Sequence, residues 1–187
     1  ETMVELGIKK LIFASSMTVY GIKNRIPVQE DGDLFPVHFY GNTKKWAEEA
    51  IASYAQKGLI NALIVRYPGL YGYPRKGGYV YNVSKNILKG EDITIDTKGL
   101  KFWEALNIDD AVFLTKKIID NWEWKNNLDI LNCSYGEETD IIKTAFMLKR
   151  LLHSKSSITI KKPIDYKRFY LNNGKLRKIF DSNRTYS

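Results

Sequence analysis

Short apolar runs alternate along this chain with longer segments whose apolar residues recur every three or four positions. Leu11 to Ser15 is a nearly continuous apolar run. It is too short for a helix and suits a strand covered on both faces, as in a parallel sheet. Ala62 to Val65 and Leu128 to Leu131 have the same character, and Ile93 to Ile95 and Ser157 to Ile160 read as shorter strands. Phe39 to Gln56 predicts an amphipathic helix. Trp46, Ala47, Ala50, Ile51 and Tyr54 share its apolar spacing, and Gly58 ends it. Further helices are predicted over Val80 to Leu88, Ile108 to Trp122, Thr139 to Leu152 and Gly174 to Phe180. Asn107 or Asp109 is the expected cap of the second of these, and Thr139 or Glu138 of the third. Glu1 to Leu6 reads as the last turns of a helix broken by Gly7. Ser16 to His38 and Tyr67 to Gly78 carry the Pro and Gly of loops. Strands alternating with helices make this an α/β chain with a parallel sheet.

Composition narrows the class. A length of 187 residues suffices for one domain with a sizeable core. Hydrophobic residues at 44% and charged ones at 27% are ordinary for globular chains. No apolar run approaches the ~18–20 residues of a membrane span, and no basic-then-apolar leader opens the chain, so no membrane partner is expected. Cys133 is the single cysteine, which fits a reducing, cytoplasmic setting. It follows a strand, and packing is expected of it rather than reactivity. His38 and His153 match no metal-ligand spacing, so no metal is expected. The net charge of +8 suits either nucleic acid or an anionic small substrate. The basic residues are dispersed apart from a modest concentration near Lys161 to Lys178, and no nucleic-acid module is present. No nucleic-acid partner is therefore expected.

The chemistry centres on Tyr40 and Lys44. Residues four apart share a helix face. A phenol, with a reference pKa of ~10, needs ~4 kcal/mol of differential stabilisation to act as a base near neutrality. A neighbouring ammonium group favours the phenolate. A hydroxyl at a preceding strand end, Ser16 or Ser15, can hold a substrate oxygen through a second hydrogen bond. Alone, Tyr-x-x-x-Lys recurs by chance on many helices, and its context gives it meaning.

That context is Lys10-Leu11-Ile12-Phe13-Ala14-Ser15-Ser16, then Val19-Tyr20-Gly21, then Tyr40-Gly41-Asn42-Thr43-Lys44. Arg66 with Tyr71-Gly72, Ile108-Asp109-Asp110, and Tyr170-Leu171 through Lys175-Leu176 follow in order. The whole resembles the extended short-chain dehydrogenase/reductases, the NAD-dependent epimerase/dehydratase group acting on nucleotide sugars. The resemblance implies a truncated Rossmann-type parallel sheet flanked by helices, with a small C-terminal substrate-facing lobe. All of 1–187 is then one domain, its Rossmann part about 1–68 and 105–135 and its substrate-facing part about 69–104 and 136–187. It implies NAD as cofactor, with NADP also open, a nucleotide sugar as small-molecule substrate, and a homodimer as a possible assembly through the helix at 39–56. By position, Tyr40 is the general acid/base, Lys44 lowers its pKa and holds the nicotinamide ribose, and Ser16 is the hydroxyl partner. Ala14, Ser15, Tyr67 and Pro68 lie along the cofactor. Ser16, Gly69 and Arg75 face the substrate.

The departures from the pattern also carry information. Family dehydratases place Asp-Glu after the serine or threonine, whereas Met17-Thr18 stands here, favouring epimerisation or simple oxidoreduction. Gly69 replaces a frequent substrate-touching asparagine, and Trp103 stands near a frequent phosphate-binding arginine. Arg75, Lys76 or Lys101 can supply the missing charge. No G-x-x-G-x-x-G turn is present. The resemblance therefore implies a C-terminal portion whose cofactor-binding half, about 100 residues, lies outside this chain. A reductase or dehydrogenase of a non-nucleotide ketone or alcohol is one alternative. An inactive remnant or binding protein is another.

Overall fold

A computed structural model describes residues 1–96, 102–161 and 168–179. The elements in order are α1 (Thr2–Glu5), β1 (Lys10–Ser16), α2 (Phe39–Gln56), β2 (Asn61–Tyr67), β3 (Gly69–Tyr71), α3 (Tyr79–Leu88), β4 (Ile93–Asp96), β5 (Phe102–Trp103), β6 (Ala105–Asn107), α4 (Ile108–Asn121), β7 (Leu128–Asn132), β8 (Thr139–Asp140), α5 (Ile141–Leu151), β9 (Ile158–Lys161) and α6 (Gly174–Ile179). The main sheet runs β1-β2-β7, all parallel. Helices lie against it, as expected for a Rossmann-type α/β fold.

Central β2 explains why its sequence is continuously apolar. Ala62 packs with Ala55 and Ile60 at the end of α2, and Ile51, Tyr54 and Leu11 adjoin them. Its neighbours Leu63 and Val65 point the other way, into a cluster with Leu106, Ala111, Leu114, Ile118 and Leu131. Successive side chains leave a strand on opposite faces, so a strand covered twice has no polar face. A second, smaller unit pairs β4 with β9 in parallel and packs them beneath α3 and α5 through Val83, Ile87, Ile93, Ile95, Ile141 and Ala145. A fourth cluster joins Val19, Tyr20 and Val28 to Phe169 and Leu171, fastening the loop after β1 to the tail.

Several sequence expectations change. The segment expected as loop from Tyr67 to Gly78 contains β3, which pairs in parallel with β6, another strand that periodicity missed. Three residues leave too little pattern to read. The N-cap of α5 is Asp140, not Thr139 or Glu138, and its carboxylate accepts from the backbone N–H of Ile142 and Lys143 at 2.9 and 3.1 Å. Asn107 caps α4, accepting from the Asp109 N–H at 2.8 Å. Trp46 and Ala50, expected on the inner face of α2, are exposed, whereas Gly41, Glu48 and Ala55 face inward. A buried charge at the centre of the inner face is something apolar periodicity cannot find. Phe180 and Lys101 lie outside the described residues.

Candidate active site

Parallel strands bring their carboxyl ends together, and ligands of such sheets bind outside those ends. The register places Ser16 opposite Tyr67, so both close the sheet on the same rung. One rung inside, Ser15 lies opposite Arg66, and Arg66 opposite Asn132. This inner rung is polar across all three strands and buried at every position.

Helix α2 presents three residues to these ends at i, i+4 and i+8: Tyr40, Lys44 and Glu48. Gly41 lets the first turn come close. A Cβ there would sit 2.7 Å from the Thr18 carbonyl oxygen and 2.9 Å from Pro36 Cβ. Lys44 Nζ donates to the Ala14 carbonyl at 2.9 Å and lies 5.8 Å from the centre of the Tyr40 ring and 4.9 Å from that of Phe13. Tyr40 is exposed. Its phenol makes no hydrogen bond to a described residue, while its carbonyl accepts from Thr43 Oγ1 at 2.8 Å. Ser16 Oγ accepts from the Thr18 N–H at 3.3 Å and from Thr18 Oγ1 at 3.0 Å, which leaves its own proton free to donate outward. Ser15 Oγ donates to Glu48 Oε1 and is buried.

Arg66 and Glu48 form a buried, two-pronged ion pair. Arg66 Nε and Nη2 donate to the Glu48 carboxylate at 3.0 and 2.6 Å, and Nη1 donates to the Glu30 carbonyl at 2.9 Å. Burial alone would lower the Arg66 pKa, but its hydrogen bonds to Glu48 and the neighbouring Tyr20 raise it. The guanidinium also lies 4.6 Å from the centre of the Tyr20 ring. Burial pushes the Tyr20 phenol up to about 12. Its hydroxyl donates to Asn132 Oδ1 at 2.8 Å. Removing one partner of such a pair costs ~3–5 kcal/mol, because the other charge is left buried and alone.

The remaining candidates spread out from this centre. Ala14 is exposed at the strand end and Pro68 is buried just past β2. The Tyr67 hydroxyl shares a 2.6 Å hydrogen bond with Thr115 Oγ1, and burial raises its pKa to about 12, so its phenol is a packing anchor rather than a proton carrier. Arg75 is exposed in the turn after β3, its N–H donating to the Gly72 carbonyl at 2.9 Å. Gly69 lies against Trp103. A Cβ on Gly69 would fall 2.1 Å from Trp103 Cζ3. The two departures noted in the sequence are therefore one reciprocal packing unit. The structure brings together Tyr40, Lys44, Ala14, Ser15 and Ser16. It also adds Glu48 and Arg66, which sequence reasoning did not place in the site. The one available signal was a glutamate four residues beyond Lys44 on a helix and an arginine closing an apolar strand. No group of three or more His, Cys, Asp or Glu is arranged for a metal among the described residues, and no described helix is long and apolar enough to cross a membrane.

Comparison with known proteins identifies the family. The NAD dependent epimerase/dehydratase family matches residues 1–134. The chain is 33% identical over 166 residues to the UDP-N-acetyl-alpha-D-glucosaminuronate decarboxylase of Bacillus cytotoxicus, covering 81% of this chain and 49% of that protein. It is 26% identical over 149 residues to the UDP-glucose 4-epimerase of Lactobacillus helveticus, covering 71% and 45% respectively. A crystal structure of UDP-glucuronic acid 4-epimerase from Bacillus cereus with NAD superposes with a TM-score of 0.85 at 24% identity, covering 99% of this chain and 59% of that one. The chain thus spans about half the length of these two relatives.

Proposed function

We propose that this chain, which belongs to the NAD-dependent epimerase/dehydratase family, carries the proton-handling part of an enzyme acting on a nucleotide sugar, as an epimerase or an oxidoreductase. The observation that carries the reading is the Lys44 ammonium, held 2.9 Å from the Ala14 carbonyl and 5.8 Å from the Tyr40 ring at the carboxyl end of a parallel sheet. Tyr40 accepts the proton of a substrate hydroxyl at its phenol oxygen, and Ser16 Oγ donates to the same substrate oxygen. NAD, when bound, supplies the hydride acceptor.

The residues of this chain fit the nicotinamide and ribose end of such a cofactor. Lys44 has three N–H donors and engages one on Ala14, which leaves two for ribose hydroxyls. Ala14 and Ser15 offer backbone along the strand end, and Pro68 a rigid apolar wall after Tyr67. Substrate would lie over Ser16 and Gly69, with Arg75 on the neighbouring turn supplying positive charge to a diphosphate. The names of the relatives support a UDP-sugar in particular.

Tyr40→Phe tests the assignment in the full-length protein that carries this chain. Turnover of UDP-sugars should fall by about 10²–10⁴-fold while NAD affinity stays nearly unchanged. A near-parental rate would remove Tyr40 from its role. Gly69 and Trp103 favour a second reading, a dehydrogenase or reductase of a non-nucleotide alcohol or ketone, because an indole stands where a polar anchor for phosphate is absent. Turnover of simple ketones without turnover of UDP-sugars would establish it.

A further inference from the structure

Tyr40 and Lys44 are useful only if α2 sits at one height along β1, since a slide of an ångström moves the phenol off the reacting oxygen. The Lys44 bond to Ala14 cannot set that height by itself. The lysine side chain is long and half-exposed, and its donor can follow a moving carbonyl. Glu48 is different. It is buried, one helical turn beyond Lys44 on the same face, and both of its oxygens are held. Oε1 takes Ser15 Oγ and Arg66 Nε, and Oε2 takes Arg66 Nη2.

We propose that Glu48 is a positioning residue that locks helix α2 onto the polar rung Ser15–Arg66–Asn132 and thereby places Tyr40 and Lys44 over the strand end.

The rung explains why the lock is stiff. Its three positions are register neighbours on three parallel strands, so they cannot shift without breaking the sheet ladder. The planar Arg66 fork accepts one carboxylate orientation. Behind it, Arg66 Nη1 holds the Glu30 carbonyl, and the Glu30 carboxylate accepts from the Asn132 N–H at 3.1 Å. Ser15 is covalently next to Ser16. The clamp therefore fixes the helix that carries the base and the strand end that carries the hydroxyl relative to one another. The inference rests on the proposed roles of Tyr40 and Lys44.

Two variants test it in the full protein. Glu48→Gln removes the charge and breaks the fork, but it leaves Arg66 unpaired and risks unfolding. The double variant Glu48→Met/Arg66→Met replaces the ion pair by apolar groups of similar size, an exchange that cores tolerate. It leaves the Ser15 hydroxyl and the Glu30 carbonyl without these partners, so the urea midpoint should fall, but the variant should fold and show kcat lowered on the order of 10–100-fold, with KM and NAD affinity changed less than about threefold. A merely structural pair would leave kcat unchanged once folding is restored. A second readout does not depend on turnover. The ¹³Cε resonance of Lys44, assigned through Lys44→Arg, should move toward that of a free lysine in the double variant. A folded double variant with parental kcat and an unmoved Lys44 signal would overturn the proposal. If Tyr40→Phe retains activity, the assignment of the base fails, and the Lys44 signal alone still decides whether Glu48 positions the helix.

Discussion

Substituting Gly69 by alanine puts the packing beside the strand end to a quantitative test. The backbone of Gly69 lies outside the left-handed region, so nothing in its conformation calls for glycine. On that ground alone Ala would stabilise the fold by ~0.4–1 kcal/mol, through the restriction it places on the unfolded chain. Space opposes this. The added Cβ would lie 2.1, 2.6 and 3.0 Å from Trp103 Cζ3, Cη2 and Cε3. Carbon atoms rest at ~3.5–4.0 Å, so the closest pair overlaps by about 1.5 Å. The indole cannot simply swing away, because it packs against the cluster of α3, α5, β4 and β9. Overpacking of this kind costs ~1–3 kcal/mol and outweighs the entropic gain. Gly69→Ala should therefore destabilise by about 1–2 kcal/mol, or ~2–4 °C per kcal/mol in Tm for a chain of this size. Trp103→Ala removes the obstacle. In that background Gly69→Ala should change sign and become neutral or stabilising. Urea unfolding of the parent, both single variants and the double variant measures the coupling. Equal effects of Gly69→Ala in both backgrounds, within ~0.5 kcal/mol, would refute the reciprocal packing.

Two further outcomes follow from buried ionisable groups. Glu104 is fully buried, its carboxylate accepting from the Gly136 N–H at 2.7 Å and the Leu171 N–H at 2.8 Å, and burial raises its pKa despite these bonds. The folded state then binds a proton more tightly than the unfolded state, so this group's contribution to stability falls as pH rises from the ordinary value of ~4.3 through the raised folded one. Glu104→Gln should flatten the pH dependence of the urea midpoint across that interval, and an unchanged slope would refute the assignment. Burial, with Glu104 nearby, pushes the Cys133 thiol up to about 12. Its thiolate fraction at pH 8 is then on the order of 10⁻⁴, so a disulfide reagent should label the folded protein negligibly and the urea-unfolded protein with one equivalent. Prompt labelling of the folded protein would contradict its burial.

Much of the fold could be read along the chain because its determinants are local. A doubly covered strand declares itself as an apolar run, which makes β2 legible; β1 and β7 carry similar runs but are largely half-buried, with Ser15 the one buried residue of β1 and Leu131 and Asn132 those of β7. Helix α2 is legible from its amphipathic spacing and from Gly58, which follows it. The short strands β3, β5, β6 and β8 escaped because two or three residues carry no period, and their pairing depends on partners distant in sequence. The inner face of α2 departs from its apolar spacing for a related reason. Trp46 and Ala50 have the right spacing and hydrophobicity, but the space beside the sheet end belongs to Arg66, and a buried guanidinium selects Glu48.

The same contrast separates the two parts of the site. Tyr40, Lys44 and Ser16 belong to short sequence patterns, so a resemblance suffices to nominate them. Of the groups proposed to hold them in place, Ser15 and Arg66 fall in the same patterns, whereas Glu48 and Asn132 do not. Ser15, Arg66 and Asn132 become a unit only when three parallel strands align them on one rung, and Glu48 joins Ser15 and Arg66 there from α2. In a pattern of residue types, Arg66 is a charge at the end of an apolar strand and would count against burial. In the fold it is 1% exposed and satisfied by a carboxylate and a carbonyl. A desolvated charge of this kind tolerates little displacement, since every partner lost leaves several kcal/mol of uncompensated burial. That intolerance makes the rung a suitable reference for the helix. A hydrophobic contact at position 48 could hold α2 against the sheet equally tightly, but apolar packing is non-directional and would not fix where along β1 the helix stands. The two-pronged Arg66–Glu48 bond is directional, and direction is what the role proposed for Tyr40 requires.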